Sequence, residues 1–496
     1  MLSVRLASGQ LLEVPWELLR DARSLKQQLQ HASGLPRFRQ RLLYQDAVLE
    51  DPEILVESMS ELQLVVLPFC SVSVQQKAAL VDAAELGSIS EVEEILQRPQ
   101  HPDSEEGMTA LGMASFKGKA EIVSLLLEAK ADKDKACGFR GATPLVLAST
   151  MGHEKVVQLL LAAGADKDNA CNAHADGIDR CQVTTPLGMA SKIGYVKVAC
   201  LLLRARVDTD KVCATDTDQF TTPLGVACFE GHAELVRVLL DAGASTNQEF
   251  GPNNTTPLGV ASGDSSRSAA HQNMELALQL MRAGHQVDLS EFSDCHVEIV
   301  RMLLEAGANK NMPFGPHGLT PLGEAISHRR VDIVKLLLAA STDVNQVFGP
   351  GSKSPLGVAC NSSHVEAVEI VRSLLEARAN AEVSGFPGAT PLELASSRGQ
   401  LSVVRLLLAA GAGRSSSGGA AGCFSSALKH VAIALCSKIG SYGQVFLGQP
   451  RRAASPKVAL KRCFDCLLRA DGATLKRTYR ELAVLRTRAP SDSNIP

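Results

Sequence analysis

The sequence predicts a mainly α-helical protein built as a stack of short helix pairs, and three observations support this fold class. The chain is 496 residues long and 45% hydrophobic, yet only 4% of its residues are aromatic. It carries 39 glycines, and one short motif, Thr-Pro-Leu, recurs along its middle. Thin layers of Leu, Ala and Gly pack closely without large rings, and a unit that recurs at a near-constant interval is typical of a solenoid.

Each repeated unit contains the signals of two short helices joined by a turn. Thr143 is a residue type that caps helices, and Pro144 follows it at the first helical position, where its missing N–H needs no partner. Gly152 ends this first helix, and a second, apolar helix follows His153. The units start at similar intervals, with one much longer interval after Thr256, at Thr109, Thr143, Thr185, Thr222, Thr256, Thr320, Ser354 and Thr390.

This unit resembles the ankyrin repeat, and the resemblance covers about residues 71–413. It implies an antiparallel helix pair and a β-hairpin in each repeat, nine to ten repeats, and a concave face that binds a protein partner. Residues 77–98 are similar to a first repeat without the Thr-Pro-Leu start. Within the long interval between Thr256 and Thr320, Val297–Leu304 is similar to the second helix of a degenerate extra repeat.

The chain departs from the ankyrin pattern directly after Thr-Pro-Leu, where that family usually has histidine. Most repeats here have glycine instead, at Gly112, Gly188, Gly225, Gly259, Gly323 and Gly357. Glycine inside a helix costs about 1 kcal/mol relative to alanine, so we expect a looser array than an idealised one. Duplication of one repeat together with its glycine explains this pattern more simply than a function does.

Six phenylalanines lie shortly before a repeat start, in the segments expected to form hairpins. They are Phe139, Phe220, Phe250, Phe314, Phe348 and Phe386. Exposed aromatic side chains at a repeated position predict a partner-binding ladder along the hairpins. The alternative is that each ring packs on the neighbouring loop and closes the stack.

Residues 1–70 have a different pattern, with strand-like runs on either side of one helix. The order of these elements, ββαββ, resembles the ubiquitin-like β-grasp fold, most closely over Gln40–Asp51. Leu43 falls where that family binds partners through an apolar side chain. The last strand continues into Leu67-Pro-Phe-Cys, without the Gly-Gly end that conjugation requires. We therefore expect a docking or stabilising role.

A Gly/Ser-rich stretch over 414–427 predicts a flexible linker to residues 428–496. There, a glycine-rich loop is followed by Val-Ala-Leu-Lys and Arg-Glu motifs, which resemble the N-terminal lobe of a protein kinase of the mitogen-activated type. The resemblance implies a nucleotide clamp in which the loop covers the phosphates of ATP, one valine contacts the adenine, and a lysine–glutamate pair holds the phosphates. The matching residues are Gly440, Gly443, Val445, Lys461 and Glu481.

This kinase-like segment lacks the parts that transfer a phosphoryl group. Lys438 replaces the first glycine of the loop, and no His-Arg-Asp or Asp-Phe-Gly motif follows before Pro496. Phosphoryl transfer needs a base and metal-holding carboxylates as well as a clamp. We therefore expect a truncated N-lobe with weak or no ATP binding, no catalytic residue and no other cofactor.

Composition and charge exclude several other classes of function. The sequence contains no apolar run of about 18 residues, the length that a membrane-spanning helix needs. The first residues also lack the apolar core of a signal peptide. The 13 cysteines are scattered, which predicts reduced thiols in the cytoplasm, with the nucleus as the alternative. Cys463 and Cys466 form a single Cys-x-x-Cys motif without a second pair of ligands nearby. Because a structural zinc ion needs four ligands, we expect no metal site.

The net charge of −3 conceals an asymmetry between an acidic array and a basic C-terminal segment. Residues 1–427 carry −12 and residues 428–496 carry +9. The basic segment lacks interleaved aromatic residues, which argues against nucleic-acid binding. We expect a monomeric, non-enzymatic scaffold that binds a protein partner. The alternative is a truncated form of an ankyrin-repeat serine/threonine kinase whose array selects substrates.

Overall fold

The computed structural model describes thirteen stretches of the chain, and all structural statements below concern them. They are residues 1–6, 8–56, 58–59, 61–69, 74–98, 101–103, 107–137, 141–169, 185–214, 220–251, 254–263, 295–383 and 389–412. These residues form two compact units. The first comprises the described residues of Met1–Asn309 and Phe314–Pro316, and the second Lys310–Pro313 and the described residues from His317 onward.

The first unit begins with a five-stranded sheet and one α-helix. The elements are β1 (Leu2–Leu6), β2 (Leu11–Val14), α1 (Ala22–Ser33), β3 (Gln40–Tyr44), β4 (Ala47–Leu49) and β5 (Glu61–Val66). The strand order is β2-β1-β5-β3-β4, with β1 parallel to β5 and every other pair antiparallel. The sheet is β-grasp-like, as expected, but it contains β4, a strand that the sequence analysis missed.

The core of this sheet domain follows from the two-residue period of its strands. Leu2 and Val4 of β1, and Leu62 and Leu64 of β5, point to one face and are almost fully buried. Helix α1 covers that face with Leu25 and other apolar side chains. Alternation in the sequence thus decides which face of the sheet the helix covers.

The remainder of the first unit consists of helix pairs. These are α2 (Val74–Leu86), α3 (Ile89–Gln97), α4 (Ala110–Phe116), α5 (Ala120–Glu128), α6 (Pro144–Met151), α7 (Glu154–Ala162), α8 (Pro186–Ile193), α9 (Val196–Arg204), α10 (Pro223–Glu230), α11 (Ala233–Asp241), α12 (Pro257–Ser262) and α13 (Cys295–Glu305). Two short strands, β6 (Cys213–Ala214) and β7 (Phe220–Thr221), form a hairpin. First helices of neighbouring repeats pack together, and so do second helices.

The second unit contains three further helix pairs among its described residues. They are α14 (Pro321–Ser327), α15 (Val331–Ala339), α16 (Pro355–Asn361), α17 (Glu366–Glu376), α18 (Pro391–Ser397) and α19 (Leu401–Ala409). Their packing within the unit follows the same scheme, first helix on first helix and second on second.

The predicted helix starts are confirmed from α4 onward. The hydroxyl of the residue before each first helix accepts a hydrogen bond from the backbone N–H three residues later, at 3.0 Å from Gly112 to Thr109 and 3.1 Å from Gly323 to Thr320. At Thr390 the carboxylate of Glu393 also accepts from the threonine N–H at 2.9 Å, which completes a capping box. Because these contacts are local, the motif alone predicts them.

The long interval between Thr256 and Thr320 has a different explanation from the predicted extra repeat. Helix α13, which contains Val297–Leu304, packs against α12 and α11 as the second helix of the repeat that begins at Thr256. His296 Nε2 lies 3.2 Å from the carbonyl oxygen of Phe229, as expected of a second helix in register. The extra-repeat assignment of this helix is therefore wrong: residues 264–294, which lie outside the described residues, separate the two helices of one repeat in the sequence.

Hydrogen bonds between successive loops hold the repeats in register within each unit. A side-chain oxygen of one loop accepts from a backbone N–H of the next, at 2.6 to 2.9 Å. In the first unit the pairs run from Asp132 to Asp103, Asp166 to Asp134, Asp208 to Asp168, Ser245 to Asp210 and Asn309 to Asn247. In the second they run from Asp343 to Asn311 and Asn380 to Asn345. We call these bonds the loop ladder.

Candidate functional site

Three of the six phenylalanines predicted to bind a partner are buried. Phe250, Phe314 and Phe348 expose 8%, 6% and 4% of their surface. Their ring edges lie against glycines of first helices, so that a Cβ added to Gly323 would stand 2.6 Å from Phe348 Cε1 and Cζ. A Cβ added to Gly225 would likewise stand 2.6 Å from the ring of Phe250, and one added to Gly259 would stand 2.6 Å from the ring of Phe314. The exposed ladder is therefore wrong for these three rings, and ring packing within the stack is correct.

The other three phenylalanines cannot be placed in the same way. Phe139 and Phe386 lie outside the described residues, and only the backbone of Phe220 is described, in β7. Their role in partner binding stays a prediction.

Two cysteines take the place of phenylalanine in other repeats. The Sγ atom of Cys213 would lie 2.5 Å from a Cβ added to Gly188, and the Cys137 thiol faces Gly112 similarly. The sequence separation between glycine and buried side chain is the same in both pairs, and it is also the separation from Gly323 to Phe348. The glycines thus have a packing role, which duplication of the repeat does not by itself explain.

The Gly259–Phe314 pair shows that its repeat tolerates a large insertion. The sequence separation between these two residues is more than twice that between Gly323 and Phe348. Phe314 nevertheless packs on Gly259 as the other rings pack on their glycines. The hairpin contact of that repeat is therefore kept although residues 264–294 separate its two helices in the sequence.

Three of the described cysteines are buried in a way that disfavours the thiolate. Burial raises the pKa of the Cys213 thiol and of the Cys360 thiol to about 12, and it also raises the pKa of Cys228. A thiolate is the form that attacks electrophiles or binds metals. Among the described residues, no group of three or more His, Cys, Asp or Glu side chains is placed to hold a metal ion.

The turns between the helices of a repeat align the ends of the first helices. The His153 ring packs on Gly118, and its Nε2 lies 3.0 Å from the carbonyl oxygen of Phe116. His232 packs on Gly194 in the same way, with Nε2 3.1 Å from the carbonyl oxygen of Lys192. At the intervening turn the ring of Tyr195 takes the histidine's place. These contacts bring the C-terminal ends of successive first helices next to one another.

A row of apolar side chains occupies these aligned ends in the first unit. Met151, Ile193 and Phe229 lie in the last turns of α6, α8 and α10 and expose 40%, 39% and 38% of their surface, while Tyr195 exposes 37%. Phe116, at the end of α4, is half-buried. We call these five residues the apolar row. More than a third of each of the four exposed side chains faces solvent, although the Tyr195 ring also packs on Gly152.

The corresponding positions of the second unit are polar. On the first helices, each member of the row is the seventh or eighth residue after the residue that caps the helix. In the second unit the residues at these two positions are Ser327 and His328 in the first repeat, Asn361 and Ser362 in the second, and Ser397 and Arg398 in the third. Exposed apolar residues scattered singly are ordinary on protein surfaces, whereas a contiguous apolar patch marks an interaction site, and the helix ends that carry this row lie next to one another. The apolar row is therefore the candidate functional site, and the sequence analysis missed it although its spacing from each repeat start is readable.

The five residues predicted to clamp ATP lie outside the described residues; they are Gly440, Gly443, Val445, Lys461 and Glu481. The nucleotide site thus stays a prediction from sequence. Within the part of the chain that the structure describes, no helix has the length and apolar character that crossing a membrane requires.

Comparison with known families identifies the helix pairs. The family model for three copies of the ankyrin repeat matches residues 80–171 and 267–348, and the single-repeat model matches 221–249 and 388–416. The chain contains ankyrin repeats. Such repeats form protein–protein interaction scaffolds, so the ankyrin part of this chain is a scaffold of that kind.

One solved structure similar to this chain is the crystal structure of the human ASB11 ankyrin repeat domain. It is 22% identical, with a TM-score of 0.38, and the match covers 53% of this chain and 96% of that one. No curated protein matches the sequence. The ubiquitin-like and kinase-like resemblances of the two ends stay predictions.

Proposed function

We propose that the protein is a non-enzymatic scaffold that binds a protein partner across the apolar row of its first unit. The exposure of Met151, Ile193 and Phe229 on three successive repeats carries this proposal. Side chains that pack the stack have to be apolar, but these three are exposed to solvent, where polar residues are the usual choice.

The row has enough apolar surface to anchor a partner. Burying the exposed remainder of one such side chain contributes on the order of 1 kcal/mol. Aromatic anchors such as Phe229 and Tyr195 commonly dominate the binding energy of an interface. Five side chains in line therefore supply a central anchor, with the remaining contacts contributing complementarity.

The spacing of the row favours a helical partner. Packed helices lie about 8–10 Å apart, so the row offers one anchor point at about that interval. Seven residues of an α-helix span about 10.5 Å. An amphipathic helix with an apolar residue at every seventh position therefore meets successive members of the row, as in other groove-bound helices.

The test compares two triple variants of the full chain in pull-downs analysed by mass spectrometry. One carries Met151→Ser, Ile193→Ser and Phe229→Ser. The control carries Ile54→Ser, Val347→Ser and Val365→Ser, whose side chains are also exposed but belong to the sheet domain and to the second unit. Because the row side chains are partly buried, the melting temperature of each variant is measured first, and the pull-downs are made well below the lowest of them.

We expect partners captured by the parent to be lost by the row variant and kept by the control. Equal capture by the parent and the row variant would refute the proposal. Loss in both variants would assign the capture to general surface stickiness and would refute it as well.

A cytoplasmic location is part of the proposal. Cys137, Cys213, Cys228 and Cys360 are buried as thiols, which suits a reducing compartment. No described contact favours the kinase alternative, whose motifs lie outside the described residues.

A further inference from the structure

A buried arginine joins the N-terminal sheet domain to the first two ankyrin repeats. Arg37 lies in a short 3₁₀ turn before β3, and its side chain is only 1% exposed. Nη1 lies 2.8 Å from Asp51 Oδ2 within the sheet domain. Nη2 lies 3.0 Å from Glu93 Oε1 on α3, and Nε lies 2.7 Å from Glu128 Oε2 on α5. One guanidinium thus binds carboxylates of three separate elements.

The surrounding charges balance this network. Lys26 Nζ lies 2.5 Å from Asp51 Oδ1, and Arg23 pairs with Glu93. Three cationic and three anionic side chains therefore meet at the junction. Removing one partner of a buried ion pair is strongly destabilising, because the other charge is left uncompensated. The junction therefore depends on residues of both the sheet domain and the repeats.

A second contact connects the sheet domain to the loop ladder. The rings of Phe69 and His101 lie 5.1 Å apart, and the guanidinium of Arg39 lies 4.4 Å over the Phe69 ring. His101 Nδ1 lies 3.6 Å from Asp103 Oδ2, which accepts the N–H of Asp132 at 2.9 Å. This bond is the first described step of the loop ladder.

We propose that residues 1–69 fold as one cooperative unit with the first two ankyrin repeats, and that Arg37 couples the stability of the two parts. The described contacts fix the sheet domain to α3 and α5, on two successive repeats, instead of leaving it tethered as a free module. The inference does not depend on the apolar row.

Hydrogen–deuterium exchange of the full chain tests this coupling through an effect that crosses the junction. Glu128→Gln changes only the repeat side and removes the charge that Arg37 Nε meets. Arg37→Met changes only the sheet side, with a side chain of similar length. The matched control is Glu61→Gln, since the Arg5–Glu61 pair is 57% and 49% exposed and lies within the sheet domain.

We expect Glu128→Gln to speed exchange of the slowest amides of α1 and β3 by at least about tenfold, because opening of the junction becomes easier. Arg37→Met should have the same effect on α3 and α5, while α8 to α11 exchange as in the parent. The Glu61→Gln control should leave all of these amides unchanged.

A strictly local response would overturn the inference. In that outcome Glu128→Gln changes exchange only within α2 to α7, and Arg37→Met only within residues 1–69. If Arg37→Met prevents folding, Glu128→Gln alone tests the coupling. Glu128 belongs to the repeats, whereas its expected effect is on amides of the sheet domain.

Discussion

Replacing Gly323 with alanine should destabilise the second unit, although alanine is the better helix former. The Cβ added in Gly323→Ala would stand 2.6 Å from Cε1 and Cζ of Phe348 and 2.7 Å from Cε2. Real Cβ contacts of that kind do not occur, so the ring or the helix has to move. Phe348 is 4% exposed and has little room to do so.

The magnitude follows from two opposing terms. Alanine gains about 1 kcal/mol over glycine in a helix interior. Overpacking a filled core costs about 1–3 kcal/mol, and an approach this close belongs at the upper end. We therefore expect Gly323→Ala to lower the free energy of unfolding by about 1–2 kcal/mol.

Removing the ring should reverse the sign of the effect. Phe348→Ala by itself costs about 3–5 kcal/mol. In that background the added Cβ meets open space, so Gly323→Ala should stabilise the protein by about 0.5–1 kcal/mol. The coupling energy between the two sites is then about 1.5–3 kcal/mol, which is within the range of residues in direct contact.

The assay is a double-mutant cycle read by urea unfolding and by hydrogen exchange of α14 and α16. Exchange supplies a local measure, because a long repeat array does not have to unfold in one step. Ser402→Ala serves as the control, since Ser402 lies exposed on α19, two repeats further along the same unit, and should change stability by no more than about 0.5 kcal/mol. Stabilisation by Gly323→Ala in both backgrounds would refute the reasoning.

Three further predictions concern a carboxylate, the buried thiols and an aromatic residue. Desolvation raises the pKa of Asp103 above its usual 3.8, so the charged form is disfavoured in the folded state and stability falls as pH rises from 3.8 through the raised pKa. Asp103→Asn, which keeps an oxygen for the Asp132 N–H, should raise Tm at pH 7, and the gain should shrink toward pH 3.8; a gain independent of pH would contradict this. With pKa values of about 12, the Cys213 and Cys360 thiols are ionised to only about one part in ten thousand at pH 8, so iodoacetamide should label them only after unfolding. Mass spectrometry of protein labelled in the native state measures this, and labelling of either cysteine there would contradict its burial. Phe220→Ala should lower Tm much less than Phe250→Ala, as calorimetry can measure, and equal losses would place both rings in the core.

The helix starts could be predicted from sequence because their causes are local. Thr143 and Pro144 act on the helix that they begin, through a hydroxyl bond to a nearby N–H and a fixed φ. The β-grasp-like sheet was predicted from alternation and order, since each strand shows its own two-residue period. Strand β4 is only three residues long, from Ala47 to Leu49, and such a run carries too little pattern to be recognised.

The contacts between distant residues could not be predicted in the same way. Glu128 lies 91 positions beyond Arg37 in the sequence, and no local pattern connects an arginine in a turn to a carboxylate on a helix. The second helix of the interrupted repeat was assigned to an extra unit for a similar reason. Its apolar pattern correctly predicts a second helix of a repeat. The first helix that it packs against, α12, lies before residues 264–294 in the sequence.

Three hairpin phenylalanines of this chain, Phe250, Phe314 and Phe348, pack on a glycine of a first helix. Both a stack and a binding surface use apolar side chains at repeated positions, so repetition alone does not separate them. A ring that follows its glycine at the separation of Phe348 from Gly323 fills the space that the missing Cβ leaves. Where Cys137 or Cys213 already fills that space, the next phenylalanine along the hairpin falls out of this register. Phe386 does not follow Gly357 at that separation either, so partner binding stays a prediction for Phe139, Phe220 and Phe386.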